Sequence, residues 1–233
     1  MLSISMHTII SRIIPEFVNT KATAIARIRE ESLNDYSFVR AGNEFFKAGE
    51  TNNAIQEYQK ALELDPDHDE SYVGLADCYS FLGTTGFMPF EEAWQKCSSY
   101  TRKALKLNPS SSGAYYQLSN HSFFVEANYG KSLGEMKKAI ELNPNNAEAH
   151  EFLSFMYIIA KDREKALEHL GIALCLNPLS EESRFFKGYY HYMIEEYPEA
   201  LDLLNNCLTV NDKNIPAHSI KPLCLLKMGR YDE

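Results

Sequence analysis

The chain has 233 residues, of which 45% are hydrophobic and 24% charged, a balance ordinary for a folded protein. Its 32 Asp and Glu outnumber 23 Lys and Arg, and the net charge of −9 disfavours nucleic acid or an anionic membrane surface as the main partner. No apolar run reaches bilayer-spanning length, and the opening MLSISMHTIISRIIPEF lacks the basic start and unbroken apolar core of a secretory signal.

Residues 1–33 come first. Leu2, Met6, Ile9, Ile10, Ile13, Ile14 and Phe17 recur every three or four residues, which predicts an amphipathic helix interrupted near Pro15. A second helical stretch, Lys21 to Ser32, places Ile25 and Ile28 on one side. Two readings stand: a cap over the first element that follows, or a connector or dimerisation helix.

From Asp35 the text changes. DYSFVRAGNEFFKAGETNNAIQEYQKALELDP reads as two helices joined at Lys47-Ala48-Gly49-Glu50 and stopped by Asp65-Pro66. Small residues (Ala41, Gly42, Ala54, Ala61) sit where helices must approach closely, among large apolar ones such as Phe38, Phe45, Tyr58 and Leu62. A helix pair of this length cannot bury its apolar faces alone and needs a neighbour.

The unit recurs. Helix-ending prolines stand at Pro66, Pro109, Pro144 and Pro178, with Asp212 next, at spacings of 43, 35, 34 and 34 residues. Two small residues keep step before them: Ala61, Ala104, Ala139, Ala173, Cys207, and seven places earlier Ala54, Cys97, Ser132, Ala166, Ala200. A first-helix anchor recurs as Phe38, Tyr72, Tyr115, His150, Arg184 and His218.

This register resembles the tetratricopeptide repeat, a 34-residue helix–turn–helix unit. The resemblance covers residues 35 to 233 and implies an all-α superhelical solenoid of antiparallel helix pairs. The repeats are expected at 35–68, 69–111, 112–146, 147–180 and 181–214, with a half repeat at 215–233. The second carries a nine-residue insertion near 84–92, expected as a loop around Gly86 and Pro89, after which Glu91 and Glu92 favour the start of a long second helix carrying Trp94. The stretch GLADCYSFLGTTGFMPFEEAWQKCSSYTRKALKLNP is similar to repeat regions that follow adenylate cyclase, kinase or DNA-binding domains in bacterial regulators. Pro222 is expected to kink the last helix. The chain stops just before a position where sister repeats open their second helix, so a fragment of a longer protein is expected. Its half repeat leaves Leu223, Leu225 and Leu226 without their next neighbour.

No catalytic constellation is present in the motifs: no phosphate-cradling Gly loop, GxSxG or HExxH. Asp65, Asp67 and Asp69 echo a calcium loop, but Glu70 stands where that loop needs Gly, so helix-capping roles are expected. The scattered histidines, His150, His191 and His218 among them, read as core or partly buried imidazoles. The cysteines Cys78, Cys97, Cys175, Cys207 and Cys224 form no CxxC pair and read as small buried hydrophobes of a reducing compartment. No cofactor and no metal is expected, and the chain is not expected to be an enzyme.

The resemblance implies that the second, fifth, ninth and twelfth residues of each first helix face a groove. These are Tyr36, Val39, Asn43 and Phe46; Glu70, Val73, Asp77 and Ser80; Gly113, Tyr116, Asn120 and Phe123; Glu148, Glu151, Phe155 and Ile158; Glu182, Phe185, Tyr189 and Tyr192. The lining mixes aromatics with carboxylates and holds no Lys or Arg. The basic clamp by which co-chaperone members grip an acidic peptide is therefore missing. The lining suits a peptide or helix with apolar anchors and basic flanks. Phe87, Met88 and Phe90 in the insertion form a second candidate surface. The expected function is a non-catalytic protein-interaction module of a cytoplasmic bacterial signalling protein, with no nucleic-acid or membrane partner. The alternatives are the regulatory part of an enzyme whose catalytic domain lies elsewhere, or a self-assembly module pairing through its N-terminal helix or its uncapped C-terminal end.

Overall fold

The computed structural model describes residues 35–212 and 214–230, without the side chains of Glu182 and Ile215. The expected N-terminal helix, 1–33, lies outside the described residues. Those described form eleven helices and no strand, as the periodicity predicts. They are α1 (35–47), α2 (Thr51–Leu64), α3 (Asp69–Thr85), α4 (Phe90–Leu107), α5 (Ser112–Phe124), α6 (Tyr129–Leu142), α7 (Ala147–Ile159), α8 (Arg163–Leu176), α9 (Glu181–Met193), α10 (Tyr197–Val210) and α11 (Ile215–Lys227). The chain divides into two compact units, the first ending at Pro109 and the second beginning at Ser110.

In the first unit α3 packs on α2 and α4. In the second, α5 pairs with α6, α7 with α8 and α9 with α10, and α9 also meets α7, α8 and α11. The two small residues of each second helix sit at these contacts: Ala54, Ala61, Cys97, Ala104, Ala139, Ala166, Ala173, Ala200 and Cys207 are all buried. The tightest approach lies in the first unit. The Tyr58 ring fills the space between Gly42 and Gly74, and its hydroxyl donates to Asn43 Oδ1 at 2.6 Å. A Cβ on Gly74 would stand 2.3 Å from that ring.

The proline positions organise each hairpin's end. Asp65, Asn108, Asn143 and Asn177, each before a proline, are extended, and each donates its N–H to the small residue four places back. Asn211 does the same ahead of Asp212, so the asparagine conformation does not require the proline. The recurrent anchors then reach back six residues. Tyr72 donates to Pro66 O at 3.0 Å, Arg184 to Pro178 O at 3.5 Å, and a ring nitrogen of His150 and of His218 meets Pro144 O and Asp212 O. An anchor expected to pack is thus also a hydrogen-bond donor to the preceding turn. That accounts for the mix of Tyr, His and Arg at one position.

Several expectations need correction. The loop is shorter than expected: Thr84 and Thr85 still belong to α3, and only residues 86–89 connect it to α4, whose first turn holds Glu91 and Glu92 as expected. Gly86, at φ 77°, terminates α3, and the extra residues lengthen the two helices to 17 and 18 residues. The α3 cap is His68, whose Nδ1 accepts from Ser71 N–H; Asp65 accepts from Asp67 N–H, and Asp69 accepts from Asn108. His218 is exposed rather than buried, and Cys175 is exposed while the other four cysteines are buried. Pro222, expected to kink the last helix, lies exposed within α11 and does not end it. Leu225 is buried, whereas Leu223 and Leu226 are exposed.

Replacing Gly74 by Ala drives a methyl into the Tyr58 ring. The expected loss is about 1–3 kcal/mol, the usual range for overpacking, read as a lower urea midpoint at unchanged slope. An unchanged midpoint would show that the ring moves aside freely.

Candidate functional site

The second unit gathers most of the predicted groove aromatics. Phe123 on α5 lies 5.9 Å from Phe155 on α7, and Phe155 lies 6.2 Å from Tyr189 on α9. Tyr189 stacks with Phe185 at 5.9 Å and Tyr192 at 6.3 Å, and Tyr192 reaches Tyr197 on α10. At the other end Tyr116 meets Phe152 edge-on at 6.3 Å, and Phe152 adjoins Phe123 at 5.4 Å. Four helices therefore contribute to one ladder of rings whose members, Phe152 apart, are half-buried. Burial pushes the Tyr189 hydroxyl above its ordinary pKa, with Tyr192 adding to the shift, so it stays a neutral donor or acceptor.

Not every predicted lining residue offers surface. Val39, Ile158, Asn120 and Glu151 are buried, with Val39 in the core of the first unit. The Glu151 carboxylate accepts from the hydroxyls of Ser180 and Ser183, tying α7 to the start of α9. Ser180 also caps α9 by accepting from Ser183 N–H, so this carboxylate completes a helix cap. Asn120 is 5% exposed, and its Oδ1 has no hydrogen-bond partner. Ser80 is buried, while Val73, Asp77 and Gly113 are half-buried and Glu148 is exposed. The side chain of Glu182 lies outside what the structure describes.

In the first unit Tyr36 is exposed, and Asn43 serves as the acceptor for Tyr58. Phe46 meets Phe81 edge-on at 6.0 Å, and Phe81 lies 6.5 Å from Phe87. Phe81, which sequence reasoning passed over, thus joins the first candidate surface to the second. Phe87 is 74% exposed, Met88 packs on the core, and Phe90 leans on buried Trp94 at 5.9 Å.

Two further features were missed. Ala127, Lys161, Glu195 and Gly229, 34 residues apart, all turn with positive φ. A cavity of about 330 Å³ is lined by Lys161 and Glu195 together with Tyr157, Tyr190, Met193 and Arg163. The signal was the register itself, since the first repeat has Gly49, with φ 77°, at the equivalent turn position. The other feature is a histidine pair: His150 and His169 Nδ1 atoms lie 2.9 Å apart, and His169 stacks on Tyr157.

Among known proteins, the family model described as TPR repeat matches residues 42–83. The model described as anaphase-promoting complex, cyclosome, subunit 3 matches residues 162–233. The chain is similar to Hsp70-Hsp90 organizing protein 2 of Arabidopsis thaliana, 27% identical over 46% of this chain and 17% of that protein. It is also similar to the BBSome complex member BBS4 of Bos taurus, 28% identical over 54% and 22%. The chain thus spans less than a quarter of the length of these relatives. A thermophilic TPR protein of Thermus thermophilus shares the fold at a TM-score of 0.62, with 21% identity over 82% of this chain and 99% of that one. These matches support the tetratricopeptide-repeat family and, with it, a protein–protein interaction module.

Glu151→Ala leaves two serine hydroxyls without their shared acceptor. About 1.5–3 kcal/mol of stability should be lost, as for hydrogen bonds to a charged group, read by thermal unfolding; a role confined to partner contact would leave the melting temperature unchanged. For the histidines, burial holds the pKa of both below the ordinary imidazole value, with His150 lowering His169 further. The unfolded chain therefore takes up protons first as pH falls. This stabilisation is present above about pH 6.5, the unfolded value, and is lost as pH drops through the depressed folded values. The urea midpoint should fall from pH 7.5 to pH 5.5, and less so in His150→Tyr with His169→Leu; equal falls would remove the pair as the cause.

Proposed function

We propose that this chain is a non-catalytic binding module of a larger regulatory protein, and that the aromatic ladder of the second unit receives a polypeptide carrying apolar anchors. The observation that carries this reading is the run from Tyr116 through Phe123 and Phe155 to Tyr189 and Tyr192: half-buried rings on three helices, joined in part by buried Phe152, with neighbours 5.4–6.3 Å apart. Aromatic rings give large contact area at low entropy cost, the usual composition of an interface centre. The Tyr hydroxyls supply polar edges for a bound backbone, and no lysine or arginine of the predicted lining selects for an acidic ligand. In the first unit, Tyr36, Asn43, Phe46 and Asp77, with Phe87, Met88 and Phe90, are proposed contacts of their own.

These names favour the same reading: one relative is an Hsp70-Hsp90 organizing protein, another a BBSome complex member, and one matching family model is a subunit of the anaphase-promoting complex. Regulation of an attached cyclase, kinase or transferase domain would use the same face, and a cytoplasmic signalling protein is the setting proposed for it. The repeat boundaries read from the prolines are the proposed domain plan.

The test is affinity capture with the wild-type chain and with Phe155→Ala combined with Tyr189→Ala. The double variant should lose about tenfold or more in partner affinity, as expected when two hot-spot aromatics are truncated, with helicity by circular dichroism unchanged. Partners retained at equal strength would exclude this face.

A further inference from the structure

Helix α4 runs against the acidic balance of the chain. Between Glu92 and Glu126 no Asp or Glu occurs, although the chain has 32 of them. Within that stretch α4 carries Lys96, Arg102, Lys103 and Lys106. Lys96 is paired with Glu92 at 2.8 Å. Among the described residues no carboxylate lies within ion-pair reach of Arg102, Lys103 or Lys106. Arg102, Lys103 and Lys106 are exposed, and Gln95 and Ser99 extend the same outward face.

The Lys103 ammonium is held in place by aromatic rings. Its Nζ sits 5.3 Å from the centre of Tyr72 and 5.5 Å from that of Tyr100. Tyr72, Tyr100 and Tyr79 form a continuous stack, with Lys96 over Tyr79 at 5.1 Å. The ring faces fix the ammonium while leaving its charge without a counter-ion.

A second copy of this stack in the same chain shows that the cations are not required by packing. In the fourth repeat His150, His169 and Tyr157 occupy the places of Tyr72, Tyr100 and Tyr79, with Lys165 over Tyr157 at 5.3 Å. There the places of Arg102, Lys103 and Lys106 are taken by Gly171, Ile172 and Cys175. In α2 and α6 the counterparts of Lys103 are Lys60 and Lys138, each paired with a carboxylate, Glu57 or Glu141. Lys106, in the last turn, gains from the helix dipole, but Arg102 and Lys103 lie before it.

We infer that the outer face of α4 is a docking surface for a carboxylate-rich segment of another polypeptide. Lys96 to Lys106 span about 15 Å of helix at 1.5 Å per residue, the length of about four or five extended residues. Three cations without local partners meet carboxylates there at little cost, because no carboxylate of the helix must be displaced. Nucleic acid is the poorer occupant: its long phosphate chain would meet the field of a chain of net charge −9, whereas a short acidic segment is screened beyond about 8 Å at physiological salt. The surface belongs to the first unit, and the inference does not rest on the aromatic ladder of the second.

The experiment is fluorescence anisotropy of the full chain with a labelled Glu-Glu-Leu-Glu-Glu peptide, its Gln-Gln-Leu-Gln-Gln counterpart and a single-stranded oligonucleotide of equal charge. The acidic peptide should bind about tenfold tighter than the neutral one at low salt, as for three exposed ion pairs of a few tenths to one kcal/mol each. That advantage should vanish in Arg102→Gln, Lys103→Gln, Lys106→Gln, and persist in Phe155→Ala with Tyr189→Ala. Equal binding of both peptides, an acidic peptide indifferent to the triple variant, or tighter binding of the oligonucleotide would each overturn the assignment.

Discussion

Everything in this chain depends on helices coming close enough to hide faces that none can hide alone. A hairpin of two helices, 13–18 residues each, leaves apolar surface on both sides. Burial of that surface drives assembly only where backbones approach. The small residues set the distance. Where Gly74 and Gly42 flank Tyr58, the ring takes the place of two absent side chains. Where Ala or Ser stands at the register position of Gly42 instead, as at Ala76, Ser119 and Ser154, a small buried side chain keeps the approach close. Because these positions recur in a fixed register, hairpins within one unit present matching faces to each other.

The same register explains how the turns are bound. A residue before proline is pushed out of the helical region and directs its N–H back into the helix that it ends. The proline carbonyl is then left facing the next helix, where the anchor six residues on supplies a donor. At the last of these turns Asp212 replaces proline and the carbonyl is still taken, by His218. The architecture is held by the carbonyl and its donor, and the proline biases the chain toward it.

This distinction marks what the sequence could reveal. Period, helix order and the small residues were legible because they follow from backbone geometry and side-chain volume, and both leave a trace in residue type. The aromatic ladder was legible through the repeat resemblance, which implies one face for Phe123, Phe155, Tyr189 and Tyr192. Glu151 was not legible as a buried acceptor, because its partners Ser180 and Ser183 lie some 30 residues on and serine is compatible with many roles. The positive φ at Lys161 and Glu195 was hidden by residue types that avoid it. The insertion misled because Gly86 and Pro89 mark a loop correctly but leave its length open; helix lengthening absorbed most of the extra residues.

Repetition also separates what stabilises from what recognises. The stack of Tyr72, Tyr79 and Tyr100 and that of His150, Tyr157 and His169 do the same packing with different chemistry. Packing therefore constrains ring shape at these sites and leaves polarity free. One site keeps phenols beneath a lysine, the other a pair of imidazoles sensitive to protonation. The exposed positions beside the stacks are freer still, carrying Arg102, Lys103 and Lys106 in one repeat and Gly171, Ile172 and Cys175 in another. Since packing tolerates both sets equally, it does not account for three uncompensated cations on one helix of an acidic chain. Their concentration on a single face calls for a cause outside the fold, and a ligand of opposite charge is the simplest one.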